Sequence, residues 1–484
     1  MRRNIFAPAA LVAGLVLAAG ACDNGLVEAN EDPNAPTDVG AEFLVPQSIR
    51  AAVEQTFGAG QMLSHTATWA QHAVQIQYPD EGTGQVRSAS MQGYWDGYYS
   101  GPLRDIRTVV QKGREAERPN IEGIGLIWES YIFHLVTDAW GDVPYSEALR
   151  GDEGITTPAY DPQEDIYHGL LETLTAAQSM LTAGGGSFGA GDLLYGNDIT
   201  KWRRFANSLR MRLAMRLSEV DPATARTEFA AAVAAGGFES NADNAMMQWA
   251  APPYENPLFE NWQGRDDHGV SATLIDSLKS LSDPRLELYA EPAAEDGAYR
   301  GLESGYYTPP LSISWYSRIG DFWRADGAGT PSALLTYSEV LFLMAEAAQR
   351  GWISGDPADL YQRAIRANMN QYDDWSPANA PTDAEIDAYL AQPGVAYSAA
   401  NGRTMIQYQL WLSLFMNGSE AWSTWRRTGV PHLEVGPEVV TSRIPVRFSY
   451  AANEQSLNAA NLSAAVQRQG GGNDLVTPLW WMEN

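Results

Sequence analysis

Two consecutive segments with helical periodicity constrain the fold of this chain more than any other feature. The first, ALLTYSEVLFLMAEAAQRG, covers residues 333–351. Its apolar residues recur at spacings of four, three and four, which places them on one face of an amphipathic helix. These residues are Tyr337, Leu341, Met344 and Ala348. We therefore expect a helix here whose single apolar face packs against a neighbour.

The second segment, ISGDPADLYQRAIRANM, covers residues 353–369 and begins with a helix-start signal. Asp356 occupies the cap position and Pro357 the first turn, where these residue types stabilise a helix N-terminus. The expected buried stripe consists of Tyr361, Ile365 and Met369. Two helices joined by a short turn form a helical hairpin, here about the size of a tetratricopeptide unit.

Similar signals recur along the chain. An Asp-Pro pair precedes two further periodic stretches that are rich in Ala and Leu, and Thr382 with Glu385 has the spacing of a capping box. The two pairs are Asp161-Pro162 and Asp221-Pro222. No strict consensus repeats, so the hairpins are degenerate copies of one another. The sequence therefore predicts a mostly α-helical fold of tetratricopeptide-like hairpins.

Residues 250–330 and 430–484 differ in composition from the rest of the chain. They are rich in Pro, Gly and aromatic residues and show few helical periods, which predicts long loops with a few short strands such as RIPVRFSY (443–450). Long loops in a compact body commonly carry function. We therefore expect the helical part to be a scaffold and the loop-rich side to hold the ligand.

The N-terminus has the organisation of a secretory signal. Three residues that include two arginines precede a short apolar run, and small residues lead to Cys22, the only cysteine in the chain. The arrangement resembles a bacterial lipobox, although Ala19 stands where leucine is usual. We expect a signal peptide over residues 1–21, a lipidated tether over 22–43 and one binding domain over 44–484. The alternative is ordinary cleavage that leaves the cysteine as an incidental thiol.

Composition narrows the ligand classes. The net charge of −27 and the pI near 4.5 argue against nucleic acid, whose phosphates require a basic face. The chain has 16 Trp and 22 Tyr but only 19% charged residues. Most of these rings must be core, and the remainder suit neutral polyhydroxylated or peptide ligands.

Catalytic and metal-binding motifs have little support. The six histidines form no H-E-x-x-H pattern, so neither a metal site nor a cofactor is expected. GGSFG at residues 185–189 matches the nucleophile-elbow pattern, but a helical stretch rather than a strand precedes Ser187. A glycoside hydrolase with paired carboxylates, or a polysaccharide lyase, stays open as an alternative because any two acidic residues can meet in space.

The most concentrated polar cluster is GRDDHGVS, at residues 264–271. Its oxygen atoms could bind a ligand or a structural calcium ion. Alternatively, the segment is a turn that caps the helix predicted immediately after it. The sequence does not decide between the two, and the oxygen donors are few for a metal.

Aromatic residues among charged residues and glycines point to a sugar site. Sugar rings stack their C–H faces on aromatic rings while their hydroxyls bond charged groups, and SISWYSRIGDFWRADGAG (residues 312–329) supplies both. In GYWDGYYSGPL (93–103), by contrast, the rings share one helical face and are expected in the core. The candidate ligand-binding residues are Tyr78, Trp262, Asp266, Trp315, Tyr316 and Trp323.

Several segments resemble the SusD/RagB family of outer-membrane lipoproteins, and in particular its SusD-like branch. They occur in the family's order and cover nearly the whole mature chain. GDVPYSEAL and EAWSTWRRTG are long enough to make chance agreement implausible. The segments are EDPNAPT (31–37), VTDAWGDVPYSEAL (136–149), TYSEVLFLMAEAA (336–348), EAWSTWRRTGVP (420–431) and RIPVRFSYAANEQSLN (443–458).

This resemblance implies a location, a partner and a function. Members of the family are anchored by a lipid at the cell surface, cap a SusC-type TonB-dependent outer-membrane transporter and deliver ligand for import. The ligand is an oligosaccharide or, in some members, a peptide. The family has no catalytic activity and folds as helical hairpins with a loop-rich ligand side. Its shared motifs are structural, so no family site residue transfers to this chain.

Overall fold

Helices form most of the chain in the computed structural model, which describes residues 39–250 and 252–482. The predicted signal peptide, Cys22 and most of the predicted tether lie outside the described residues. The helices are α1 (Ala41–Phe57), α2 (Ala67–Trp69), α3 (Ser88–Tyr98), α4 (Arg104–Glu115), α5 (Pro119–Trp140), α6 (Gln163–Met180), α7 (Ile199–Arg216), α8 (Pro222–Ala235), α9 (Pro257–Trp262), α10 (Ala272–Ser280), α11 (Leu286–Tyr289), α12 (Tyr337–Gln349), α13 (Pro357–Asn370), α14 (Tyr372–Trp375), α15 (Asp383–Leu390), α16 (Gly402–Ser413), α17 (Gly418–Thr428), α18 (Glu454–Leu457) and α19 (Ala459–Arg468). Two π-helical turns, Met62–Thr66 and Tyr99–Leu103, lead into α2 and α4.

The strands are few and short. They are β1 (Ala73–Gln75), β2 (Ala245–Met247), β3 (His268–Val270) and β4 (Ser332–Leu335). β1 pairs antiparallel with β3, with Gln75 opposite His268, and β2 pairs antiparallel with β4. Each sheet has two strands. The predicted fold class, mostly helical with a few short strands, is confirmed.

The predicted helical hairpin is α12 and α13. Thr336 caps α12 by accepting a hydrogen bond from the Glu339 amide, and Asp356 caps α13 by accepting from the Ala358 amide. The buried stripe expected on α13 is confirmed, since Tyr361, Ile365 and Met369 are all buried. Helix pairs α4–α5, α5–α6 and α7–α8 pack against each other in the same way along the chain.

The single apolar face expected for α12 is wrong. Tyr337, Met344 and Ala348 are only half-buried, because α12 packs against α7, α13 and α16 rather than against one neighbour. A helix surrounded by three others buries most of its circumference. The buried residues of α12 are Ser338, Glu339, Val340, Leu341, Phe342, Leu343, Ala345, Glu346 and Ala347.

The other helix-start signals have mixed outcomes. Asp221 caps α8 by accepting from the Thr224 amide, and Thr382 forms the predicted reciprocal capping box with Glu385. Asp161 caps nothing, because its carboxylate accepts from the amides of Tyr145 and Ser146. Its pairing thus fixes the turn before α6 rather than the helix itself.

Aromatic rings pack against one another within the core. Trp95 and Tyr98 of α3 are buried as expected, with the Trp95 ring 5.4 Å from that of Trp140. Trp69 lies 5.1 Å from Trp422 in the same cluster. A second, smaller apolar cluster lies apart from the main one and consists of Val74, Ile76, Leu302 and Tyr316.

The strand expected in RIPVRFSY is wrong. Residues 443–450 form no strand, because their backbone amides bond to loop and helix-end carbonyls instead of a neighbouring strand. The Val446 amide donates to the Leu475 carbonyl, and the Phe448 amide donates to the Ala139 carbonyl at the end of α5. The segment therefore runs through the core without pairing with a strand.

Residues Ala41–Asn484 form one compact unit. Among the described residues, no helix combines the length and the apolar character needed to span a bilayer.

Candidate functional site

Four loop segments that are distant in sequence meet on one surface, which we call the loop face. The amides of Ile76 and Gln77 donate to the Asp267 carbonyl at distances of 2.7 and 3.2 Å. The Val440 amide donates to the Thr83 carbonyl at 2.9 Å, which joins a third segment. The fourth segment is joined by a hydrogen bond that the Glu438 amide donates to the Gly305 carbonyl. The loop face comprises residues 76–84, 265–268, 302–318 and 434–441.

The loop face carries most of the large apolar side chains that are exposed in the described part of the chain. Five of the eight large apolar side chains that are exposed in residues 39–250 and 252–482 lie on it. Soluble proteins seldom expose such groups together unless they bind something. The five are Tyr78 (63% exposed), Tyr307 (50%), Leu311 (43%), Val435 (46%) and Val440 (65%).

Tyr78 is the predicted site residue that best fits a stacking role. It follows β1 in the left-handed region, with φ of 52°, so the chain turns sharply and projects the ring outward. The guanidinium carbon of Arg265 lies 5.3 Å from the ring centroid. One face of the ring is therefore covered by a cation, and the rest is available to a ligand.

Trp315 and Tyr316 are neighbours with different environments. The Arg300 guanidinium lies 5.2 Å from the Trp315 ring centroid and donates to the Trp315 carbonyl at 2.9 Å. Trp315 is half-buried, whereas Tyr316 is buried in the smaller apolar cluster. The Tyr316 hydroxyl accepts from the Leu311 amide at 3.2 Å. Tyr316 thus supports the loop face from beneath.

Asp266 joins two arginines at the edge of the loop face. Its carboxylate lies 2.8 Å from Arg318 Nε and 3.4 Å from Arg324 Nη1, and its side chain is half-exposed. The Arg318 guanidinium also donates to the Ile313 carbonyl at 2.9 Å. Asp266 therefore fixes the position of the 313–318 segment and still offers acceptor capacity to solvent.

Trp262 and Trp323 lie outside the four segments of the loop face and pack in the main core. Trp323 is 5% exposed and belongs to the main core, with its ring 6.0 Å from Phe415 and 6.2 Å from Tyr372. Trp262 ends α9 half-buried and packs against the same core. The structure thus brings together Tyr78, Asp266, Trp315 and Tyr316 but not these two. Their assignment to the ligand site stays a prediction.

Sequence reasoning missed the other four exposed groups of the loop face. Tyr307 and Leu311 lie in YYTPPLS (306–312), and Val435 and Val440 lie in EVGPEVV (434–440). Valines on either side of a Gly-Pro turn read as a buried hairpin. Two adjacent prolines after two tyrosines were the one local signal for a rigid, exposed loop.

The GRDDHGVS segment is a turn and a helix cap. Ser271 caps α10 by accepting from the Leu274 amide at 3.1 Å, and His268 pairs in β3. Asp266 and Asp267 both form ion pairs with arginines. The segment thus caps α10, as one of the two interpretations predicted, and the calcium site stays a prediction. Ser187 of GGSFG is preceded by no strand, in agreement with the sequence interpretation.

One buried cluster in the described part of the chain has the composition of a metal site. His134, Asp138 and Glu420 place one ligand atom each within 4.8 Å of one another. Arg216 already occupies this position, at 2.7 Å from Glu420 and 3.3 Å from Asp138. Burial, reinforced by Arg212, lowers the pKa of His134 to about 3. The carboxylates are neutralised by protein cations, so the cluster is a structural ion network.

A cavity of about 600 Å³, lined by both polar and apolar residues, lies between α6, α19 and the C-terminal segment. Its polar groups bond one another, since Asp142 accepts from the Gln163 amide and from Arg468. The half-buried Trp480 also lines it. These groups tie the ends of two helices to the C-terminal segment, so we do not assign the ligand here.

The sequence matches a family described as "Starch-binding associating with outer membrane" over residues 33–451. The chain belongs to the SusD-like family. This confirms the resemblance drawn from the sequence motifs and the fold that it implied. No functionally curated protein matches the chain.

Solved structures of SusD-like proteins cover most of the chain. A chitin-binding protein superposes with a TM-score of 0.83 and 31% identity, covering 92% of this chain and 100% of its own. A chitin-binding SusD homologue from Flavobacterium johnsoniae gives a TM-score of 0.78 and 25% identity, covering 92% and 98%. A SusD homologue from Bacteroides uniformis gives 0.79 and 24% identity, covering 92% and 100%.

Proposed function

We propose that this SusD-like protein is a lipid-anchored, cell-surface binding protein that captures an oligosaccharide on its loop face. It caps a SusC-type TonB-dependent transporter and delivers the oligosaccharide for import. It performs no catalysis. The observation that carries the proposal is the concentration of exposed apolar side chains on the loop face of a chain in a glycan-binding family.

The first ligand to test is a chitin oligosaccharide. The structure that is 31% identical over its full length is a chitin-binding protein. The family description names starch instead, which makes a malto-oligosaccharide of equal length the matched comparison. Both ligands are neutral, as suits an acidic chain with a net charge of −27.

The chemistry of the loop face fits a neutral sugar chain. The rings of Tyr78 and Tyr307 present apolar surface to solvent, and Asp266 supplies a carboxylate acceptor nearby in the same set of segments. Each ring contributes on the order of 1 kcal/mol, by analogy with aromatic pairing. Affinity built from a few such contacts is modest, which permits release into a transporter.

Calorimetric titration of the mature protein with chitohexaose and maltohexaose tests the ligand. We expect saturable binding of one of them, with no new reducing ends after prolonged incubation. New reducing ends would instead support the alternative of a glycoside hydrolase. Saturable binding of an oligopeptide library and of neither sugar would support a peptide-binding member of the family.

The transporter partnership has its own test. Protein solubilised in mild detergent from native outer membranes through a C-terminal tag should co-purify with a TonB-dependent transporter. The stable contact requires a large shared surface, on the order of 1,600 Å² or more. A tagged protein that consistently purifies alone under these conditions contradicts the partnership.

The anchor proposal concerns Cys22, which lies outside the described residues. Mass spectrometry of the mature N-terminus should find Cys22 as the first residue, carrying a diacylglycerol thioether. Two acyl chains suffice for stable anchoring at about 0.8 kcal/mol per buried methylene. An unmodified cysteine would refute the anchor without affecting the ligand proposal.

A further inference from the structure

A single exposed side chain joins two segments of the loop face. The Glu438 carboxylate accepts hydrogen bonds from the backbone amides of Tyr307 and Thr308, at 2.6 and 2.9 Å. The Glu438 amide donates to the Gly305 carbonyl at 3.0 Å. One residue thus makes three bonds to a segment 130 positions away. Consecutive amides that point at one carboxylate form a compact anion-binding turn.

The backbones of the two segments touch at this junction. A Cβ on Gly436 would lie 1.9 Å from the Ser304 carbonyl oxygen, so no side chain fits there. Gly305 adopts φ of 85°, in the region that favours glycine. The approach of Gly436 and Gly305 brings Glu438 within reach of the two amides. The Glu438 carboxylate is the side-chain component of the junction.

The segment beyond this junction is held at both ends. Pro309 and Pro310 follow the two bonded amides, and both have a fixed φ and no N–H to donate. The next amide, that of Leu311, donates to the Tyr316 hydroxyl at 3.2 Å. Residues 307–311 are therefore a stiff span between Glu438 and Tyr316, and they present Tyr307 and Leu311 to solvent.

Ordering an exposed loop when a ligand binds costs free energy that a preformed loop does not lose. Each immobilised side chain and each fixed backbone residue adds to that cost. We propose that Glu438 is a positioning residue of the loop face. It holds the Tyr307–Leu311 span in its binding conformation before the ligand binds. This inference rests on the proposed function of the loop face.

Three variants separate positioning from folding. Glu438→Ala removes the acceptor, while Glu438→Gln keeps a carbonyl oxygen of the same reach. Glu153→Ala is the control, because Glu153 is an exposed acid outside the loop face whose side chain pairs with Arg150. Tyr316→Phe removes the hydroxyl at the other end of the span and should act in the same direction.

Amide hydrogen exchange and sugar titration are both measured on the mature protein. In Glu438→Ala, exchange at Tyr307 and Thr308 should accelerate by about tenfold or more, since local opening no longer breaks the carboxylate bonds. The dissociation constant for chitohexaose should rise about three- to tenfold. The thermal midpoint should not change. Glu438→Gln should restore most of both losses, and Glu153→Ala should match wild type.

Two results would overturn the inference while sugar binding stands. Unchanged exchange at Tyr307 and Thr308 in Glu438→Ala would show that the carboxylate does not hold the span. Faster exchange with an unchanged dissociation constant would show that the Glu438 carboxylate holds the span but has no role in sugar binding. If the wild-type protein binds neither sugar nor peptide, the proposed function fails and the positioning role fails with it. Accelerated exchange in Glu438→Ala would still show that the carboxylate holds the span.

Discussion

Charged groups are used in opposite ways in the helical scaffold, α4–α8 with α12–α17, and on the loop face. In the scaffold, Glu339 pairs with Arg212 and Glu346 pairs with Arg427, and all four side chains are almost completely buried. On the loop face, Glu438 is exposed and bonds backbone amides instead of a cation. In the scaffold, buried ion pairs join helices, whereas on the loop face the carboxylates of Glu438 and Asp266 hold short spans of chain in place.

The difference follows from solvent access. A buried ion that loses its partner keeps its desolvation penalty, which costs about 3–5 kcal/mol. Exposed ionic contacts are worth about 0–1 kcal/mol because water replaces the partner. Changes in the scaffold should therefore act on stability, and changes on the loop face should act on binding. Four predictions test this division.

The largest effect should come from Glu346. Burial would raise its pKa, but Arg427 and Arg350 outweigh burial and hold the pKa at about 2. Glu346→Ala leaves both guanidinium groups without this partner, so the free energy of unfolding should fall by about 3–5 kcal/mol. Urea denaturation measures it. Asp296→Ala, which breaks an exposed pair with Arg300 beside the loop face, serves as the control and should leave the midpoint unchanged.

The next prediction concerns Trp323, which has the same kind of sequence surroundings as Tyr78 but is buried. Trp323→Ala removes a buried ring from the main core and should lower the free energy of unfolding by about 3 kcal/mol or more. Thermal denaturation followed by circular dichroism measures the loss. A stable Trp323→Ala variant with lost sugar binding would instead return Trp323 to the ligand site.

Acid should weaken the folded core through its buried histidines. Burial lowers the pKa of His72 to about 3, against 6.5 when unfolded. The neutral form is the stable one, so this contribution is complete above pH 6.5 and is lost as pH falls toward 3. The loss is about 1.4 kcal/mol per pH unit, or about 2 kcal/mol at pH 5. His72→Phe should show a shallower loss of stability between pH 7 and pH 5 than wild type.

The control for this experiment is His432→Phe, which makes the same replacement at an exposed position outside the loop face. Unfolding by urea is measured at both pH values for all three proteins. Equal pH dependence of wild type and His72→Phe would contradict the prediction.

The smallest effect should come from Tyr78. Tyr78→Ala removes one exposed ring, so sugar affinity should fall by about 1 kcal/mol, roughly fivefold, while stability stays the same. Calorimetric titration measures the affinity. Tyr254→Ala provides an exposed tyrosine outside the loop face as the matched control. Equal losses in both variants would mean that the loop face is not the ligand surface.

Local signals were sufficient to predict the helices of the scaffold. Asp356 and Pro357 began α13 as predicted, and Thr382 formed its capping box, because both devices act within one turn. The burial of α12 on several sides was not predictable, since it depends on helices from distant parts of the chain. The RIPVRFSY segment has the composition of a strand but pairs with no other strand.

The candidate site was predictable only in part for the same reason. Tyr78 and Trp323 both stand among charged residues and glycines, and only the tertiary fold decides that one ring is exposed and the other buried. The bond from Gln71 to the Glu434 carbonyl, which anchors the segment carrying Val435, spans 363 residues. No local pattern reveals a contact of that separation.

That separation in sequence determines when the loop face can form during folding. A chain that folds from its N-terminus can form α4 and α5 from neighbouring residues, but the loop face is complete only when residue 441 is present. Contacts of such long range close slowly, because loop closure costs entropy before any contact rewards it. Ligand capture should therefore appear only at the end of folding, which makes sugar binding a stringent measure of a fully matured molecule.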